Sequence, residues 1–99
     1  MNHVTDPIDE RERMVALLES QHSFPGNFTF RVVVRPAHRA QVVTTLAAVG
    51  SCAVVSVEER ESRKGTYLSV RVTARVEQAS TVLDVYEVLQ RLDSVLAVM

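Results

Sequence analysis

Side chains able to do chemistry are few and scattered along this chain. His3, His22 and His38 fall in separate stretches. None has a carboxylate or cysteine at a spacing that would build a metal site or a nucleophile–base pair. Cys52 is the single cysteine. Without a partner for an internal disulfide, it reads as a small buried hydrophobe in a reducing compartment. Only three glycines occur, and no P-loop or dinucleotide fingerprint is present. The expectation is a non-enzyme with no cofactor and no metal.

What remains is charge. Arg31, Arg35, Arg71 and Arg75 sit in two stretches that alternate apolar and polar residues, on the polar side of each, with Thr29, Tyr67, Ser69 and Thr73 among them. Such a surface could take an anion, an acidic protein segment or single-stranded RNA. The plainer alternative is a solvated face whose arginines pair with Glu58, Glu59 or Glu61. RNA-binding sheets stack two or three aromatics on these strands; here Tyr67 is the one candidate, so nucleic acid is not the favoured partner. Lys64 and Tyr67 flank a turn glycine and form a second candidate contact point, since tyrosine is favoured at interaction hot spots.

The elements that must position these residues follow from periodicity. Leu68, Val70, Val72, Ala74 and Val76 fall on one side of the stretch 66–76, with Tyr67, Ser69, Arg71, Thr73 and Arg75 on the other. In 28–35, Phe28, Phe30, Val32 and Val34 oppose Thr29, Arg31, Val33 and Arg35. Period two marks strands with one buried and one wet face. Residues 53–61 give a further strand, apolar at its start and densely charged at its end, as suits an exposed sheet edge. The loop 62–65 closes a hairpin, where Gly65 can adopt a positive φ. Residues 94–99 supply a last short strand.

Helices are expected at about 7–20, 37–49 and 78–91. The first has Asp6 as cap, Pro7 at its first position, and Met14, Leu17 and Leu18 as its stripe. The second carries Val42, Val43, Leu46 and Val49 and stops at Gly50. The third turns Val82, Val85, Tyr86, Leu89 and Leu92 inward. Residues 1–5 are expected to fray.

After the first helix the order is β-α-β-β-α-β. Right-handed crossovers place both later helices on one face of an antiparallel sheet of order 4-1-3-2, a ferredoxin-like α+β sandwich. The division is an acidic helical arm at 1–22 and one domain at 23–99. The arm holds five acids against two bases, while the net charge of the whole chain is −1. The first helix could pack on the domain, pair with a partner or be a mobile arm; the charge asymmetry adds a variant in which it lies over the arginine face, in the same chain or in a dimer mate. No apolar run approaches the roughly 20 residues that span a bilayer. The early residues lack the cations and apolar run of a signal peptide. No membrane association and a cytoplasmic location are expected.

Four segments together resemble the YbeD-like family of small bacterial proteins of unknown function: FPGNFTFRVVV at 24–34, PAH at 36–38, SRKGTYLSVRVT at 62–73 and LDSVLAVM at 92–99. The resemblance implies a ferredoxin-like fold similar to ACT regulatory domains and a link to regulation of small-molecule metabolism, with no reaction to carry over. It leaves two readings. One is a regulatory or adaptor module acting through protein contacts at Arg31, Arg35, Lys64, Tyr67, Arg71 and Arg75, with homodimerisation as one form of that contact. The other is an ACT-like sensor of an amino acid or carboxylate, in which Arg35 and His38 would hold the anion at a helix start. ACT sensors place a glycine in that turn; this chain has Arg35-Pro36-Ala37-His38.

Overall fold

The computed structural model describes residues 7–98, with side chains from residue 10 onward. The expected frayed start, the Asp6 cap, and the side chains of Ile8, Asp9 and Met99 lie outside the described residues. Within them the order is α1 (Pro7–Gln21), β1 (Gly26–Val34), a 3-10 turn (Pro36–His38), α2 (Arg39–Ala48), β2 (Cys52–Glu61), β3 (Leu68–Val76), α3 (Ala79–Gln90) and β4 (Val95–Val98). The four strands form one antiparallel sheet in the order β2-β3-β1-β4, which is the expected 4-1-3-2. The two strands with the clearest alternation, β1 and β3, are its centre.

The alternation becomes burial. Phe30, Val32 and Val34 of β1, and Leu68, Val70, Val72, Ala74 and Val76 of β3, are buried on one face. They meet Val42 and Leu46 of α2 and Val82, Val85 and Leu89 of α3 in a single core. Helical spacing explains those positions: residues three and four apart share a helix face. The other face of the sheet carries Thr29, Arg31, Ser69, Arg71, Thr73 and Arg75, all exposed or half-buried.

Several local expectations shift. Pro36 and the two residues after it form a 3-10 turn before α2 begins at Arg39. Leu92, expected on the inner face of the third helix, follows the end of α3 and packs half-buried against the core. α2 ends in an extended cap at Val49, and the left-handed conformation after it is taken by Ser51 (φ 65°) rather than Gly50. Gly65 does take the positive φ expected of it, at 70°. Gly26 is needed for a different reason. A Cβ there would lie 2.5 Å from the backbone carbonyl oxygen of Ser23, and a backbone atom cannot swing away. Gly26→Ala is expected to cost about 1–3 kcal/mol by overpacking. The check is a lowered urea midpoint with an unchanged slope.

α1 does not lie over the arginine face of its own chain. It docks on α3, on the helical side, with Arg11 making the polar contacts. Arg11 donates to the Asp84 carboxylate at 2.7 Å, to the Ser80 carbonyl at 3.3 Å and to the Glu87 carboxylate at 3.5 Å. Leu18 packs against the core, while Met14 and Leu17 stay 48% and 57% exposed. The sheet face opposite the helices is left uncovered by every described element.

Candidate functional site

The register of the sheet decides which of the candidate residues meet. Arg31 and Arg71 are direct partners across β1 and β3. One step away on the same face, Thr29 and Thr73 are also partners, and their hydroxyls share a hydrogen bond of 3.0 Å. Arg75 lies four residues along β3 from Arg71, about 13 Å at the strand rise. It faces Asn27 and approaches Glu77 at 3.8 Å. Arg35 follows the end of β1, and its backbone carbonyl accepts the His38 N–H. The set therefore divides into a central pair, Arg31 with Arg71, and outliers at either end of the face.

Tyr67 lies one residue before the start of β3 at Leu68, where the hairpin closes. Its N–H donates to the Ser62 hydroxyl at 3.0 Å, and its carbonyl accepts from the Ser62 N–H at 2.9 Å. This bracing, with the turn bond from the Gly65 N–H to the Ser62 carbonyl, gives Ser62 and Gly65 structural reasons for their types. The Tyr67 ring stays 44% exposed at the hairpin end, near Lys64 in sequence.

Sequence reasoning missed Arg60. A bulge at Val55, between the pairs Val54–Ala74 and Ser56–Thr73, shifts the parity of β2 by one. A bulge does this because two residues on one strand then face one on its partner. Val57 consequently turns inward, and Glu58 and Arg60 turn to the open face beside Arg71 and Ser69. The signal was present: inward apolar residues at 52, 54 and 57 break period two. Glu59 faces the helical side, where Arg39 at the start of α2 donates to its carboxylate. Of the three glutamates expected to pair with the arginines, Glu58 does so with Arg71, at 3.8 Å.

Arg31, Glu58, Glu59, Arg60, Ser69, Val70 and Arg71 line a shallow depression of about 470 Å³ at the centre of the open face. His38 lines a separate one, of about 430 Å³, with Gln41, Arg91, Leu92, Asp93 and Ser94; Arg35 is not among its walls. The two sensor residues of the ACT-like reading are thus not brought together around that depression. Cys52 is half-buried against the core, and burial pushes its thiol up from the ordinary cysteine range. A thiol shifted that way holds less thiolate and is a weaker nucleophile at neutral pH. Tyr86, beside Phe30, is shifted up by burial as well. Among the described residues no group of three or more His, Cys, Asp or Glu could hold a metal ion, and no helix is long and apolar enough to cross a membrane.

The family model for a protein of unknown function, DUF493, matches residues 19–99. The chain belongs to that family. The match includes the whole sheet and both helices packed on it, and begins inside the last turn of α1. No curated protein and no solved structure matches the chain significantly.

Proposed function

We propose that this chain is a non-enzymatic regulatory or adaptor module of ferredoxin-like, YbeD-like type, working in the cytoplasm through protein contacts on the open face of its sheet. Residues 23–99 form the working domain, and 1–22 an appended arm. The observation that carries the reading is the uncovered face itself. Four strands fix a rigid surface, and Arg31, Arg60 and Arg71 converge at its middle with one weak counter-charge. Rigid elements hold binding groups in place more closely than loops do. A stable interface is expected to centre there, with the Lys64–Tyr67 hairpin and Arg75 towards its rim.

An ACT-like sensor is the second reading, because His38 and Arg91 line one depression and offer donors to a small carboxylate, beside the Asp93 carboxylate that lines it too. Single-stranded RNA fits less well, since Tyr67 is the one aromatic candidate on this face and the net charge is −1. Affinity capture from an extract of the protein's own cells separates the first two. The Arg31→Glu/Arg71→Glu variant is expected to lose the captured partner while its melting temperature holds. A partner retained by that variant would sink the open-face reading. A sensor would instead show a thermal shift with amino or carboxylic acids. A ligand at a hundredfold over its Kd adds about 2.7 kcal/mol, a rise on the order of 10 °C or more.

A further inference from the structure

The centre of the open face holds more positive charge than it neutralises. Arg31 and Arg71 are register partners and leave the sheet side by side. Cβ atoms in such a pair are about 5 Å apart, and like charges directly opposite destabilise a sheet. Arg60 joins them from the edge strand, opposite Ser69. The Glu58 carboxylate stands 3.8 Å from Arg71 with its side chain 72% exposed, so it screens that pair only weakly. Glu59 borders the same depression but is engaged by Arg39. Neither Arg31 nor Arg60 makes an ion pair among the described residues. Three guanidinium groups, a serine hydroxyl and one loosely held carboxylate surround an open hollow, which is an arrangement short of an anion.

We propose that this hollow binds a phosphoryl monoester, carried by a protein partner's side chain or by a small molecule. The inference rests on the open face being the working surface and names what that surface takes. A phosphoryl monoester brings about −1.5 to −2 charges at neutral pH and three acceptor oxygens. Arginine forks match those oxygens in paired hydrogen bonds. Ser69, opposite Arg60 and two residues from Arg71, adds a neutral donor. A carboxylate brings a single charge and two oxygens, so it leaves the Arg31–Arg71 repulsion partly standing. A second copy of the chain cannot supply the anion in a two-fold contact centred here, because it would set the same arginines against each other. No aromatic ring borders the hollow, and stacking is what sheet surfaces use to hold single-stranded nucleic acid.

The test is an NMR titration of the full chain with O-phosphoserine, a phosphoserine-bearing peptide, inorganic phosphate, glutamate and a short oligouridylate. Phosphoserine is expected to move the backbone amides of Arg31, Arg60, Ser69 and Arg71, with glutamate binding at least about tenfold more weakly. Arg31→Gln and Arg71→Gln should each weaken phosphoserine binding about tenfold, the size of one charge-assisted hydrogen bond. Their melting temperatures should hold or rise, because each relieves a like-charge pair. A phosphoserine-bearing peptide binding well above free O-phosphoserine and inorganic phosphate assigns a partner's side chain; equal binding by the three assigns a free phosphate-bearing ligand. Equal response to glutamate, shifts confined to other surfaces, or a preference for oligouridylate would each overturn the phosphoryl assignment. Should phosphoserine move nothing while Arg31→Gln/Arg71→Gln still loses the captured partner, the assignment falls and the open-face reading survives. If capture also persists, both fall.

Discussion

Phe30→Ala is expected to bring the domain close to unfolding. Phe30 is fully buried at the middle of β1, directly opposite Val72 of β3. Its ring meets Tyr86 of α3 edge-on at 5.6 Å between centroids and Phe28 at 4.9 Å. It therefore joins a central strand to a core helix with one side chain. Truncating a buried phenylalanine costs about 3–5 kcal/mol in transfer and cavity terms. The lost aromatic pairs are part of that cost and favour its upper end. A domain's whole stability is about 5–15 kcal/mol, so this one change removes a large share. Thermal melts should show a fall of roughly 15 °C or more. Phe28→Ala is the internal comparison. Phe28 is half-buried at the margin of the core and meets the exposed His22 ring edge-on at 5.1 Å, so its removal should cost clearly less. A Phe30→Ala domain melting within a few degrees of the parent would mean that the core can close over the lost ring.

Phe30 was legible in the sequence, and so was most of the sheet. Strict alternation through 28–34 and 68–76 names the buried side chains before any partner is known, because period two is a property of a single strand. The strand order follows from the handedness of crossovers, which is also local in origin. What was not legible depends on a second strand or on a distant helix. The bulge at Val55 is defined by two residues facing one on β3. Without it Arg60 would point to the helical side and the central hollow would lack its third arginine. The direct opposition of Arg31 and Arg71 is likewise a register fact, set by where the strands meet and not by either stretch alone. Packing of α1 on the domain was one of the open readings, but the variant that laid it over the arginine face of its own chain weighed net charge ahead of geometry. The helix is acidic, yet the contact is made by Arg11 with Asp84, 73 positions away. Ser51, and not the neighbouring glycine expected to stop the helix, holds the left-handed turn; the structure offers no packing reason, since a Cβ on Gly50 would meet nothing within 4 Å.

Two adjacent residues of β3 should respond to the same substitution in opposite ways. Val70 is buried at the centre of the core, while its neighbour Ser69 is exposed on the open face. Val70→Asp places a carboxylate in the apolar cluster that holds Val32, Phe30 and the core helices. Such a group must be buried charged and unpaired, or buried protonated, and either costs several kcal/mol. The domain should not accumulate as a folded species, by loss of amide dispersion in its NMR spectrum. Ser69→Asp adds the same carboxylate beside Arg31, Arg60 and Arg71, where a negative charge is missing. It is expected to raise the melting temperature by a few degrees, since a carboxylate among several cations contributes about 1 kcal/mol in a favourable network. If the hollow takes a phosphoryl group, that tethered carboxylate also competes for it, so Ser69→Asp should bind phosphoserine at least about tenfold more weakly while standing more stable than the parent. The combination separates two accounts of the arginines. Were they merely solvated surface charges, screened by water and salt, Ser69→Asp would leave the melting temperature where it was. A gain in stability coupled to a loss of binding means that the arginine face was held in a costly arrangement for the sake of the anion it receives.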